Sequence, residues 1–229
     1  METGVGGMSE WIKLKASDGF ELAAWKAVPQ GAPKGGIVVI QEIFGVNHHI
    51  RAVTDRFAAA GYLAIAPGMF DRLEPGVDVG YDQPSRTKGM GLVGKLDRDK
   101  AMLDIAAAIQ AASVAGKVGI VGFCMGGSYA WGAAAQLPGL AAAVGYYGGN
   151  IIAMKDLQPK VPVLLHFGEK DQHIPVAGVR EVAALHPDVP IHIYPADHGF
   201  SCDERESFDP PSAALAWERT LAFFAQYVG

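Results

Sequence analysis

The sequence predicts an α/β fold: a mostly parallel central sheet with helices on both faces and an antiparallel hairpin at its N-terminal end. Three observations predict it. From residue 36 onward, short β-branched runs alternate with longer helical segments. The central runs, such as "GIVVI" at 36–40, are apolar throughout, the pattern of strands covered on both sides. Before them, "WIKLKAS" and "FELAAWKAV" flank the turn dipeptide Asp18-Gly19, as in a hairpin at a sheet edge.

The elements follow in order. "GIVVIQ" reads as the first parallel strand, "IRAVTDRFAAAG" as a helix and "YLAIAP" as the next strand. Residues 67–94, "PGMFDRLEPGVDVGYDQPSRTKGMGLVG", are rich in glycine, proline and charge and show no sustained period. Such a long irregular segment is expected to be functional, here a lid or specificity loop over the active site. Alternation resumes with the helix "KLDRDKAMLDIAAAIQAA", the strand "KVGIVGF", the helix "GGSYAWGAAAQL" and the strands "LAAAVGYYG" and "VPVLLHFG". A helix near 176–186, the strand "IHIYP" and a helix near 212–227 complete the series. One domain is expected over residues 9–229, with residues 1–8 as a disordered leader.

Half of the 229 residues are hydrophobic, enough for a large core. With 19 basic and 24 acidic residues the net charge is −5, and no basic block tracks a phosphate backbone, so nucleic acid is not an expected partner. Two cysteines, Cys124 and Cys202, make no disulfide framework and suit a reducing, cytoplasmic setting. No apolar run reaches the length of a membrane span, and no signal peptide is read at the start, so no membrane partner is expected.

The chemistry centres on "GIVGFCMGGSYA" at 119–130. A strand that turns abruptly into a helix projects the residue at the turn outward, and small neighbours keep the two elements from clashing. Gly122, Gly126 and Gly127 supply those neighbours around Cys124. The helix N-terminus behind Cys124 favours a thiolate, and the Met125 N–H can point at a developing oxyanion. A buried, inert cysteine is the competing reading.

A nucleophile so placed needs an imidazole and an acid from loops after later strands of the same sheet. Asp171 follows "VPVLLHFG" and His198 follows "IHIYP", so both open on the same side as Cys124. Asp197, adjacent to His198, suits local turn hydrogen bonding better than support of its neighbour's ring. His166 and His192 fall inside strands, and His173 is read as a rim residue. His48 and His49 sit together before a helix, but no further metal ligands at suitable spacing are legible, and no metal is expected.

These residues resemble the dienelactone hydrolase family of the α/β-hydrolases from about Trp11 to Val228. "QEIFGVN" at 41–47 is similar to that family's loop after the first parallel strand, "GFCMGG" to its cysteine elbow, "VGYYGG" to the next strand and "DHGF" to its histidine loop. The resemblance implies Cys124 as nucleophile, His198 as base and Asp171 as orienting acid. It implies the backbone N–H groups of Ile43 and Met125 as oxyanion hole. It also implies Glu42 as a carboxylate that interacts with the resting thiol and helps produce the thiolate when substrate enters.

In that family two arginines hold an anionic lactone. Arg86, in "DQPSRTK", falls near the first arginine's place, while Cys202 stands where the second is expected. Arg205, one turn further on, either reaches inward as a substrate contact or is a solvated charge near Asp203, Glu204 and Glu206; the solvated reading is favoured. The expected activity is hydrolysis of a small lactone or activated ester through a thioester on Cys124, with no cofactor. The alternatives are a broad carboxylesterase or thioesterase and a non-catalytic receptor for a small lactone. The resemblance also implies a monomer.

Overall fold

The computed structural model describes residues 7–229. The leader expected at 1–8 therefore lies mostly outside the described residues; Met8 itself is exposed and its carbonyl accepts from Val28 N–H at 3.0 Å.

Eight strands form one sheet. The expected hairpin is β1 (Ser9–Lys15) with β2 (Glu21–Ala27), antiparallel and in the register Ser9 to Ala27. β2 also runs antiparallel to β4 (Leu63–Pro67), which joins the hairpin to the parallel body. The body contains β3 (Gly36–Ile40), β5 (Val118–Phe123), β6 (Ala142–Tyr146), β7 (Val163–Gly168) and β8 (Ile191–Tyr194). The strand order is β1-β2-β4-β3-β5-β6-β7-β8. Every residue of β3, β4, β5, β6 and β7 is buried, as their unbroken apolar runs require.

Helices cover both faces. α1 (His48–Ala59) and α6 (Pro210–Tyr227) pack together through Phe57, whose ring lies 4.7 Å from Trp217 and 6.0 Å from Phe224. α3 (Arg98–Ala112) and α4 (Met125–Gln136) lie on the other face; their close approach is visible at Gly132, where a side chain would strike the Arg98 guanidinium at 2.5 Å. α5 (Val176–Leu185) follows β7 and buries Val179 and Val182. Fully burying one Val, Leu or Ile side chain contributes about 1.5–3 kcal/mol, and the central strands carry this term almost continuously.

Residues 67–94 differ from the expectation of an irregular loop. They contain α2 (Gln83–Val93), capped by Asp82, whose side chain accepts from Ser85 N–H at 2.8 Å, with Pro84 in the first turn. Glycines at 89 and 91 dilute the apolar period and hide the helix, but Gly89 is also what lets it dock. At Gly89 a Cβ would lie 2.2 Å from the Ile43 carbonyl oxygen, so only a bare backbone fits. The stretch before α2 is pinned as well. Asp71 accepts from Ala23 N–H at 2.8 Å, Gln41 accepts from Met69 N–H at 3.0 Å, and Asn47 donates to the Val79 carbonyl at 3.1 Å.

Two substitutions test this packing. Gly126 lies where a Cβ would meet the Ile40 carbonyl oxygen at 2.3 Å, so Gly126→Ala is expected to cost about 1–3 kcal/mol. Gly91, in α2, has no atom within 4 Å of its Cβ position, and Gly91→Ala is expected to gain up to about 1 kcal/mol from helix propensity alone. Urea unfolding of both variants reads the difference, and a loss of stability in Gly91→Ala would contradict the helical assignment of α2.

Candidate active site

The site is built where β5 ends. Cys124 sits between β5 and α4 with φ 55° and ψ −118°, one of two described non-glycine residues with positive φ. Such a conformation costs of order 1–3 kcal/mol and persists only where its surroundings impose it. The Cys124 N–H donates to the Tyr146 carbonyl at 3.0 Å, and the Cys124 carbonyl accepts from Gly127 N–H at 3.0 Å. A Cβ at Gly122 would strike the Gly126 carbonyl oxygen at 1.8 Å, so strand and helix touch backbone to backbone. The thiol is thereby lifted to the mouth of the first turn of α4, where the Met125 N–H has no carbonyl within its own helix.

The loops after β7 and β8 supply its partners. His198 Nε2 lies 3.2 Å from Cys124 Sγ, and His198 Nδ1 lies 2.6 Å from Asp171 Oδ2. Asp171 is buried, and its other oxygen accepts from His173 N–H at 2.9 Å, which fixes the carboxylate. Asp197 accepts from the His198 N–H at 2.6 Å, the local turn role expected of it. Tyr147, the second positive-φ residue, brings its ring 5.1 Å from the His198 ring. Its hydroxyl lies 2.7 Å from Ser201 Oγ.

Burial works against a proton on His198, but hydrogen bonds to Asp171 and Cys124 and the charges of both outweigh it and raise its pKa from 6.5 to about 10. The imidazole is thus held as a cation beside the sulfur. An acid, an imidazole and a thiol aligned in this way can move a proton away from sulfur and return it to a leaving oxygen.

Glu42 and Arg205 form the second electrostatic unit. Glu42 is buried at the end of β3, and Arg205 Nη1 donates to its Oε1 at 2.7 Å. The Arg205 side chain is only 12% exposed, lies 5.7 Å over the Phe44 ring and 5.8 Å over the Tyr81 ring, and passes across Gly199. The solvated reading of Arg205 is therefore corrected: Glu42 draws its charge inward, away from Glu204 and Glu206. The partner of the Glu42 carboxylate in this structure is Arg205 rather than the thiol, and Glu42 Oε2 has no hydrogen-bond partner. Cys202 lies buried beside this pair; burial and the Glu42 charge push its thiol up to about 12.

A cavity of about 590 Å³ opens over Cys124 and is lined by His173, His198, Ile43, Met125 and Arg205. Arg86, Met90 and Val93 form one wall, so the segment expected over the site does border it, as a helix. Sequence reasoning missed Arg98, Tyr129 and Asn150, which also line the cavity. Arg98 opens α3 in "KLDRDK" and carries no local sign of a pocket role. Its Nη1 contacts the Met154 sulfur at 2.8 Å, and its Nη2 is buried without a partner. The structure also brings Glu42 and Cys202 to His49, further potential ligands that sequence spacing did not reveal.

The strand order, the strained cysteine turn and the imidazole facing it define an α/β-hydrolase. The dienelactone hydrolase family model matches residues 22–228. The chain is 33% identical to a carboxymethylenebutenolidase of Pseudomonas putida over 229 residues, covering 95% of this chain and 97% of that one. It is 34% identical to a provisionally named carboxymethylenebutenolidase of Azospirillum brasilense, covering 95% and 99%. The crystal structure of a provisionally named dienelactone hydrolase from Klebsiella pneumoniae subsp. pneumoniae superposes with a TM-score of 0.85 at 33% identity, covering 96% and 99%. The chain belongs to the dienelactone hydrolase family and is a hydrolase.

The raised His198 pKa makes stability depend on pH. Between the ordinary value of 6.5 and about 10 the folded chain holds a proton on His198 that the unfolded chain has lost. Its contribution is full below pH 6.5 and disappears as pH rises through about 10. The stability difference between wild type and His198→Gln, followed by urea unfolding from pH 6 to pH 10.5, is expected to narrow across that window. A constant difference would mean that His198 is neutral in the folded chain.

Proposed function

We propose that the chain hydrolyses a small lactone or activated ester bearing a carboxylate, through a thioester on Cys124. The observation that carries the reaction type is the placement of His198 between Asp171 at 2.6 Å and Cys124 at 3.2 Å. The Cys124 thiolate attacks the carbonyl carbon, and the negative oxygen is met by the N–H groups of Ile43 and Met125. As the tetrahedral adduct collapses, the alkoxide or enolate oxygen leaves and takes a proton from His198. The imidazole then removes a proton from water, which attacks the thioester and releases the acid and the thiolate. A thiolate leaves such adducts readily, so enol esters suit this site better than amides.

Glu42 supports thiolate formation. Arg205 holds one of its oxygens; an anionic substrate that draws Arg205 toward itself leaves the buried carboxylate less compensated and free to take the thiol proton, which it returns to the sulfur once the thiolate has been expelled.

The preference for an anion rests on the cavity's charges. Arg86, Arg98 and Arg205 line it and no carboxylate does. Arg205 is neutralised by Glu42, whereas neither Arg86 nor Arg98 forms an ion pair among the described residues. A carboxylate in this cavity meets cations already in place. The apolar residues Ile43, Phe44, Met90, Val93 and Leu96 in the same cavity favour a second reading, a broad esterase for neutral acyl groups.

Steady-state and burst kinetics of wild type, Cys124→Ala and Arg98→Met on a carboxylated dienelactone and on neutral aryl esters separate these readings. Wild type is expected to turn over the lactone, and Cys124→Ala to lose that activity. Arg98→Met is expected to lower kcat/KM for the carboxylated substrate by about tenfold, or ~1.4 kcal/mol, with little change for neutral esters. Equal losses on both substrates would favour the neutral esterase. Full activity in Cys124→Ala would end the thioester mechanism, and a stoichiometric burst without turnover would mark a receptor.

A further inference from the structure

Behind Cys124, the loop after β3, the first turn of α1 and the loop after β8 meet at Glu42, His49 and Cys202. One ligand atom from each lies within 4.8 Å of the others, and the residues are 1%, 0% and 0% exposed. Two of their polar atoms, Glu42 Oε2 and His49 Nε2, are buried without a hydrogen-bond partner among the described residues. Buried polar atoms almost always find one, and two orphans in one cluster call for a shared ligand. We infer that Glu42, His49 and Cys202 form a binding site for a zinc-class divalent cation, and that the bound ion holds Glu42 so that it can no longer take the thiol proton, which reversibly inhibits turnover. The binding half stands on this cluster alone; the inhibitory half rests on the role proposed above for Glu42.

One oxygen, one nitrogen and one sulfur donor suit zinc, and the harder calcium and magnesium ions find too few oxygens here. A tetrahedral zinc ion with legs of about 2.0–2.3 Å holds its donors roughly 3.3–3.8 Å apart, so side-chain shifts of about 1 Å close the site. His49 is already oriented for it. Its Nδ1 lies 3.2 Å from Asp203 Oδ1, which leaves Nε2 as the free ligand atom. A carboxylate behind a metal-bound histidine fixes the tautomer and raises the basicity of the ring.

As the zinc–sulfur bond forms, the Cys202 thiol proton passes to solvent, and the two positive charges of the ion are met by the Glu42 carboxylate and the Cys202 thiolate. Arg205, on the other Glu42 oxygen, opposes a second cation and keeps the affinity below that of a structural zinc site. Asp203 and Glu204 flank His49, and Asp203 is also paired with Arg56, so the approach beside His49 carries both signs of charge.

Cobalt(II) and zinc(II) test the site in the full-length chain. Cys124→Ala removes the catalytic thiol, so that Cys124 and His198 cannot bind the metal instead. In Cys124→Ala, one equivalent of cobalt is expected to give a thiolate-to-cobalt charge-transfer band. The band should vanish in Cys124→Ala/Cys202→Ser. In Cys124→Ala/Asp203→Asn, which also gives up the ion pair with Arg56 and is therefore compared with its parent by circular dichroism, affinity is expected to fall roughly tenfold. No band in Cys124→Ala, or an undiminished band without Cys202, overturns the site.

In wild type, zinc is expected to inhibit ester hydrolysis, with recovery on adding EDTA and roughly tenfold weaker inhibition in Asp203→Asn. Inhibition unchanged in Asp203→Asn and Cys202→Ser would place the inhibitory ion at Cys124 and His198 and overturn the inhibitory half. Cobalt binding in Cys124→Ala without zinc inhibition of wild type would keep the site and remove Glu42 from turnover. Absence of hydrolysis in metal-free wild type would overturn the proposed function and leave the cobalt result standing.

Discussion

The constraint on which the rest of the structure depends is the backbone contact between β5 and α4 at Gly122 and Gly126. Because no side chain separates strand from helix there, the chain reverses within one residue, and Cys124 must occupy a positive φ. That strain is held by the Tyr146 carbonyl on one side and by the first turn of α4 on the other. β5 is central in the sheet, with β3 and β6 as neighbours, so the loops that end β3, β7 and β8 all open toward the same sulfur. The candidate site thus follows from parallel topology as much as from the residues in it.

Two buried charge systems then divide the space around the sulfur. On one side the imidazole of His198 is held cationic by Asp171 and Cys124 against the cost of burial. On the other, Glu42 is neutralised by Arg205, whose guanidinium lies over two aromatic rings. Breaking either pair would leave an uncompensated buried charge, a loss of about 3–5 kcal/mol. Each pair therefore fixes the position of its members as well as their charge. The cavity is also lined by two arginines, on α2 and at the start of α3, that have no carboxylate partners among the described residues.

The segment between β4 and α3 shows how packing and chemistry share residues. Gly89 brings α2 against the Ile43 carbonyl, one residue from Glu42, and the same helix carries Arg86, Met90 and Val93 into the cavity. Asn47 caps α1 by accepting from Ile50 N–H and donates to both the Val79 carbonyl and the Tyr81 hydroxyl. Tyr81 in turn meets Phe44 edge to face, with ring centroids 4.6 Å apart, and supports Arg205. A loop that reads as irregular is therefore tied to β3, to α1 and to the charge pair at once.

The sequence by itself determined the hairpin, the parallel strands, the cysteine turn and the strand-end positions of Asp171 and His198. Those features are written in short-range signals: apolar runs of strand length, Asp18-Gly19, and glycines around Cys124. Strand ends in a parallel sheet share a side, so residues 27 positions apart could be brought together without coordinates. Tertiary structure alone decided the rest. Helix α2 lacks an apolar period because glycines interrupt it, Gly89 to allow docking, and its capping Asp82 gains meaning only once the helix is seen. Arg205 reads as solvated beside Asp203, Glu204 and Glu206, yet burial makes the unpaired Glu42 carboxylate the stronger attractor. The meeting of His49 with Glu42 and Cys202, and the exposure of Arg98 to the cavity, are contacts between distant segments whose side-chain directions no local pattern encodes.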